Sequence, residues 1–160
     1  MNTLDHMKLS DKTISLLKNF SSINQSILFK EGNKLRTISV MKNILAEATV
    51  SEDFTKDFGV YDLNQFLNGL SLYQNPELDF KNDGYVVMKE GKSRSKYFFA
   101  DPNVIVSPPD KDISLPSEDV RFEVSTDQLD KLLKASSIYQ SPDLSAIGEN
   151  GVIKLVVRDK

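Results

Sequence analysis

The chain has 160 residues, 39% of them hydrophobic and 27% charged, with a formal net charge of −3 and no cysteine. That composition is an ordinary globular one, long enough for one or two cores without disulfide staples, and it excludes thiolate chemistry and Cys-ligated zinc. The mild acidity argues against nucleic acid binding over the whole surface, but leaves room for one basic face on an acidic body.

In chain order, MNTLDHMKLS has no apolar core of the signal-peptide kind, so a secretory leader is not expected. No apolar run approaches the ~20 residues of a membrane-spanning helix. Without secretion the sequons Asn19-Phe-Ser21 and Asn24-Gln-Ser26 carry no meaning. Residues 1–6 are expected to be a flexible extension, with His6 in a frayed terminus. A first helix follows. Leu9, Thr13, Leu16, Leu17 and Phe20 make its buried side. Lys8, Lys12 and Ser15 recur at near-helical spacing on another side, with Lys18 at its edge.

SILFKEGNKLRTISV (26–40) reads as strand, turn at Glu31–Asn33, strand. ILAEATV (44–50) is a further strand, and FGVY (58–61) leads into a second helix capped by Asp62. That helix, LNQFLNGLSLY, has no basic residue. It is expected to end near Tyr73-Gln74, because the residue before Pro76 disfavours the α region. The turn KNDG (81–84) and the run YVVM (85–88) begin a hairpin. KEGKSRSK (89–96) is its turn with flanking strands, read as an edge strand protected by charge.

FADPNVIVSPPDKDISLPSEDV (99–120) holds four of the six prolines and reads as an extended connector. A third helix starts at Ser125 or Thr126, with Leu129, Leu132 and Leu133 facing inward and Lys131 and Lys134 opposite. GENG (148–151) and VIKLVV (152–157) complete another hairpin. The last helix and hairpin repeat the second at a constant offset. Leu63, Phe66, Leu67, Tyr73, Gln74, Pro76 and Leu78 fall 66 residues before Leu129, Leu132, Leu133, Tyr139, Gln140, Pro142 and Leu144. A weaker copy opens the chain, where Leu16, Leu17, Lys18 and Ser21 precede Leu132, Leu133, Lys134 and Ser137 by 116. The expected organisation is therefore α+β, with repeated helix-plus-antiparallel-hairpin copies. Two lie in a first domain at 7–100, joined by a connector at 101–119 to one copy in a partial second domain at 120–160.

Little points to catalysis. His6 is the only histidine, so no Ser-His-Asp or Cys-His pair exists apart from it. Neither G-x-x-x-x-G-K-[ST] nor G-x-G-x-x-G occurs. Glu52-Asp53 and Asp110-x-Asp112 are acidic groupings of a kind that holds Mg²⁺ loosely, and they read as solvated loop carboxylates. Paired carboxylates for acid–base work remain open.

MKLSDKTISLLKNFSSIN (7–24), AEATVSEDF (46–54), VYDLNQFLNGLSL (60–72) and FFADP before the connector resemble the sliding clamps of T-even-type bacteriophages, the DNA polymerase processivity factors. The likeness runs over most of residues 7–105 and weakens beyond. It implies the DNA-clamp fold, two domains per chain and three chains closed into a ring around duplex DNA, with helices lining the hole. It implies no catalytic group, cofactor or metal. The implied partners are duplex DNA without sequence preference, the phage DNA polymerase and the clamp loader, in the host cytoplasm. On this resemblance Lys8, Lys12, Lys18, Lys131 and Lys134 face DNA, and the second helix adds little attraction. Val104, Ile105, Val106, Ile113 and Leu115 are candidates for a client-peptide groove beside the connector, or simply pins holding the connector to its own domain. A clamp of this family needs a fourth copy, and the chain holds three. Two chains pairing their third copies would complete a pseudo-domain. The alternative is a module that binds client peptides without encircling DNA.

Overall fold

The computed structural model describes residues 6–114 and 116–159. The chain divides into two compact units, the first ending at Asp110 and the second beginning at Lys111. The division falls inside the proline-rich segment.

The first unit opens with the short strand β1 (His6–Met7) and α1 (Asp11–Ser21). β2 (Ile27–Phe29), β3 (Gly32–Ile38), β4 (Leu45–Phe54) and β5 (Phe58–Val60) lead to α2 (Leu63–Leu70). Then come β6 (Glu77–Asp79), β7 (Tyr85–Glu90), β8 (Ser93–Phe98) and a single 3-10 turn over Pro102–Val104. All strand pairings are antiparallel. β1, β6, β7 and β8 form one sheet in that order, while β2 pairs with β5 and β3 with β4.

Both helices of this unit start on a side-chain cap, that of α2 at the expected Asp62. Ser10 caps α1, its Oγ accepting from the Thr13 N–H at 3.2 Å, and Asp62 caps α2, accepting from the Gln65 N–H at 2.9 Å. Their apolar faces meet the strands in one core. Leu17 and Phe20 from α1 join Leu63, Phe66, Leu67 and Leu70 from α2. Phe29 sits at its centre, its ring stacked on Phe58 at 4.5 Å and tilted against Phe54 at 5.1 Å. Leu78, Val86 and Met88 close it from the four-stranded sheet.

Three expectations change. His6 does not fray: it pairs with Asp79 across β1 and β6, and its ring lies 2.8 Å from Glu77 and 3.3 Å from the Lys89 ammonium. Residues 1–5 of the expected extension lie outside the described residues. β4 runs on to Phe54, so Glu52 and Asp53 belong to a strand and Glu52 is buried. α2 stops at Leu70, before Tyr73 rather than at it. Ser71 caps it, and the Tyr73 hydroxyl reaches away to Ser95 at 2.9 Å. The proline still marks the next strand, since β6 starts at the residue after Pro76.

In the second unit, α3 (Thr126–Tyr139) is followed by β9 (Asp143–Glu149) and β10 (Val152–Arg158), which pair antiparallel. Ser125 and Gln128 form a capping box at its start. Here the helix does run to its tyrosine, ending on Gln140 in the left-handed region at φ 52°. Leu129 and Leu132 are half-buried as expected, but Leu133 is 54% exposed. One hairpin covers only one stripe of the helix, so Leu133 lies beyond its reach. Ile138 and Tyr139 are likewise exposed.

Candidate nucleic-acid interface

The candidate face is the exposed side of α1 and α2, where Lys12, Ser15 and Asn19 border a groove against Ala48–Ser51 of β4 and Gln65 borders one against β8. The two helices pack directly on each other, and because both bury into one core, their remaining sides look outward together. On α1 this side carries Lys12, Ser15, Lys18 and Asn19, all exposed, with Lys8 exposed just before the helix. On α2 it carries Asn64, Gln65 and Asn68, also exposed.

The lysines of the first unit divide by partner. Lys30 lies 2.9 Å from Asp57, Lys34 3.2 Å from Glu47, Lys56 3.1 Å from Asp83 and Lys89 3.5 Å from Asp79. Lys8, Lys12 and Lys18 have no ion pair among the described residues, as is true of Lys42, Lys81, Lys92 and Lys96, but they alone cluster on and beside α1. Their charge is left for something outside the chain. The KEGKSRSK turn also holds cations without carboxylate partners, but Lys96 there lies over the Tyr85 ring at 4.4 Å.

The start of α1 is anchored from a distance. Glu52 on β4 accepts the Ser10 N–H on Oε1 at 2.5 Å and the Thr13 hydroxyl on Oε2 at 2.6 Å. Ser51 adds its hydroxyl at 3.2 Å. Burial pushes the Glu52 carboxyl up, but those donors outweigh it and hold the group below the usual glutamate range. A buried anion at the positive end of the helix is electrostatically suited as well. At the turn before β3, the Glu31 N–H and the Lys30 ammonium both donate to Asp57, which holds that carboxyl below its usual range.

In the second unit Lys131 and Lys134 are both exposed. Lys131 does not simply stand opposite the leucines. It lines a groove of about 470 Å³ with Leu132, Phe122, Val124, Ile153 and Leu155.

Ile105 is buried against Gly59, whose own backbone carbonyl accepts the Ala100 N–H at 2.9 Å. The Val106 carbonyl accepts from the Asn24 side-chain amide at 3.1 Å. Val104 is exposed on the 3-10 turn and Ile113 is exposed in the second unit. Leu115 lies outside the described residues. Ile105 and the Val106 backbone are thus held against the rest of the first unit.

Three organising residues carried no usable sequence signal. Asn24 is buried, and its amide also reaches the Ile38 carbonyl at 2.8 Å while its carbonyl accepts the Ser26 N–H at 3.0 Å. Arg36 bridges Glu47 at 2.9 Å and the Pro109 carbonyl at 2.8 Å. Glu52 read as a loop acid. Each acts on residues far away in sequence, so no local pattern marks it. Among the described residues no three His, Cys, Asp or Glu side chains are placed to hold a metal, and no helix is long and apolar enough to cross a membrane.

The profile of the family described as DNA polymerase processivity factor matches residues 8–107. The sliding clamp of Escherichia phage RB69 is 36% identical over 148 residues, covering 92% of this chain and 64% of that protein. The sliding clamp of Vibrio phage KVP40 is 32% identical over 148 residues, with 91% and 66% covered, and that of Enterobacteria phage T4 is 34% identical over 148 residues, with 92% and 64% covered. The chain thus spans just under two thirds of the length of these curated relatives.

Proposed function

The chain belongs to the DNA polymerase processivity factor family, and on that premise we propose that it works without catalysis, as a sliding-clamp-type factor that holds a replicative polymerase on duplex DNA. The observation that carries this reading is the exposed α1 face, where Lys8, Lys12 and Lys18 are left without carboxylate partners while Lys30, Lys34, Lys56 and Lys89 are paired. Sequence-independent attraction to phosphates needs mobile cations on a rigid element and nothing more. α1 supplies the rigidity through its Ser10 cap and the Glu52 anchor. Lys131 and Lys134 are weaker contributors, since Asp127 and Asp130 share their helix.

The partners that fit are duplex DNA, a phage DNA polymerase and the loader that places a clamp on DNA. The chain also associates with itself. A closed ring of three is the arrangement for a clamp carrying all its copies. Pairing through the second unit is supported by α3, which exposes Leu133, Ile138 and Tyr139. The test is topological. Protein loaded by the cognate loader on nicked circular DNA should stay bound through gel filtration, leave when the circle is cut, and lengthen the products of the cognate polymerase. Equal loss from circle and linear DNA, with no longer products, would refute encirclement.

One observation favours a second reading, a module that binds client peptides without retaining DNA. The second unit contains no buried residue among those described, so by itself it offers a weak seal for a ring. Client-peptide binding by a protein that never resists linearisation would support it.

A further inference from the structure

The four-stranded sheet has a face that the core does not use. Leu78, Val86, Met88 and Tyr97 point inward and pack with the helices. Strand alternation puts Tyr85, Val87 and Lys89 of β7 on the opposite face, with Arg94, Lys96 and Phe98 beside them on β8. Register sets Tyr85 against Phe98, Val87 against Lys96 and Lys89 against Arg94. Charge is unevenly divided here. Glu77 and Asp79 of β6 are held by Lys89 and the His6 ring. Arg94 and Lys96, on the outermost strand, have no carboxylate partner among the described residues, and neither has Lys92 in the turn. Glu90, at the end of β7, accepts the Gln74 and Asn75 N–H groups instead. An aromatic pair stands among these cations. Phe98 is 69% exposed and lies edge to Tyr85 at 5.6 Å, with the Lys96 ammonium over the Tyr85 ring at 4.4 Å. Cations alone keep an edge strand soluble. They give no reason for a bare phenyl ring set between them.

We propose that this β7–β8 face docks single-stranded DNA, with a base stacked on Phe98 and the neighbouring phosphates against Arg94 and Lys96. A strand of unpaired bases offers flat rings and a line of negative charge, and the face presents a match to each. A duplex keeps its base faces stacked inside, so Phe98 would have nothing to stack on. An acidic peptide would meet the cations and leave the ring bare. Lys96 is held beside Phe98 by the Tyr85 ring, so charge and stacking surface are positioned together. The choice of DNA rests on the processivity-factor reading, since a polymerase held at a primer end works beside unpaired template. The face itself lies on other elements than the α1 lysines.

Stacking and charge differ in salt dependence, which separates the two contributions. Anisotropy of a fluorescent oligothymidylate is followed with the full chain across a series of low salt concentrations. Phe98→Ala should weaken binding roughly fivefold or more at every salt concentration and leave the slope of log K against log salt unchanged. Phe98→Trp should keep or raise the affinity. Arg94→Ala/Lys96→Ala should reduce the magnitude of the slope by about 1.4. Lys12→Ala/Lys18→Ala should bind the strand as the parent does. No binding of the strand at low salt overturns the proposal. So does a Phe98→Ala variant that binds like the parent, which would leave charge alone at work. An oligouridylate that binds more tightly than the oligothymidylate overturns the assignment to DNA. An oligoglutamate that displaces the strand equally from the parent and from Phe98→Ala gives the face to acidic peptides. Loss of binding in the α1 lysine variant, with none in the β8 variants, overturns the placement on the sheet. Phe98 is exposed, so its variants should melt with the parent; if Phe98→Ala melts lower, Phe98→Trp decides, and its failure to bind overturns the proposal. Retention on circular DNA is a separate measurement, so this proposal and the clamp reading fail separately.

Discussion

The Thr13 hydroxyl donates to Oε2 of Glu52 across 2.6 Å, joining the first turn of α1 to a strand residue 39 positions away. With the Ser10 N–H on the other carboxylate oxygen, one side chain on β4 fixes where α1 begins and how it lies. The orientation of the Lys12 and Lys18 face follows from that bond pair.

Replacing Glu52 with Gln should therefore destabilise the first unit by about 1–3 kcal/mol at neutral pH, since it removes a charged acceptor from buried donors. The folded-state carboxyl titrates below its ordinary value, so the unfolded chain binds more protons in the interval between the two values. The Glu52 contribution is accordingly complete above the ordinary glutamate range and is lost as pH falls through the lowered folded value. Urea unfolding of the two proteins should differ at pH 7 and converge in acid. A gap that persists or widens in acid contradicts the assignment.

Gly59 has no room for a side chain. A Cβ there would meet the Ala100 carbonyl oxygen at 2.7 Å and Ile105 Cδ1 at 2.6 Å. Gly59→Ala should cost roughly 1–3 kcal/mol by overpacking and loosen the Gly59–Ala100 bridge. Hydrogen exchange should show faster exchange at the Ala100 amide and through Ile105. Ile105→Ala in the same chain should recover only part of the loss, because the contact with Ala100 is backbone.

Phe66 is 1% exposed and sits edge-on to Tyr97 at 5.3 Å. Phe66→Ala should cost about 3–5 kcal/mol, while Leu72→Ala at the exposed end of the same segment should cost within about 0.5 kcal/mol. Chemical denaturation that ranks the two alike would argue against the register of α2.

In the second unit the exposed apolar side chains of α3 make a test of self-association. The chain should sediment as a dimer or larger species at micromolar concentration. Leu133→Glu/Ile138→Glu should return it to a monomer without altering the unfolding of the first unit. A monomeric parent would remove the pairing proposal.

Local chemistry determined much of this protein before any fold was drawn. Helix starts at Ser10, Asp62 and Ser125, the strand starts after Pro76 and Pro142, and the apolar face of α1 all depend on residues within a few positions of one another. Short-range sterics and capping decide such features, and they are written in sequence spacing. The lysine face was legible for the same reason, because helical period alone separates Lys12 from Leu17. The tertiary structure alone decided which lysines keep their charge free, since Asp57, Glu47, Asp83 and Asp79 reach theirs across strands or from loops distant in the chain. It also turned Glu52 from a loop acid into a helix anchor and made His6 a strand residue. It buried Ile105 beneath Gly59, left Leu133 uncovered, and ended the two equivalent helices at different places relative to their tyrosines. Those outcomes depend on what packs against each group from far along the chain, which no local pattern records.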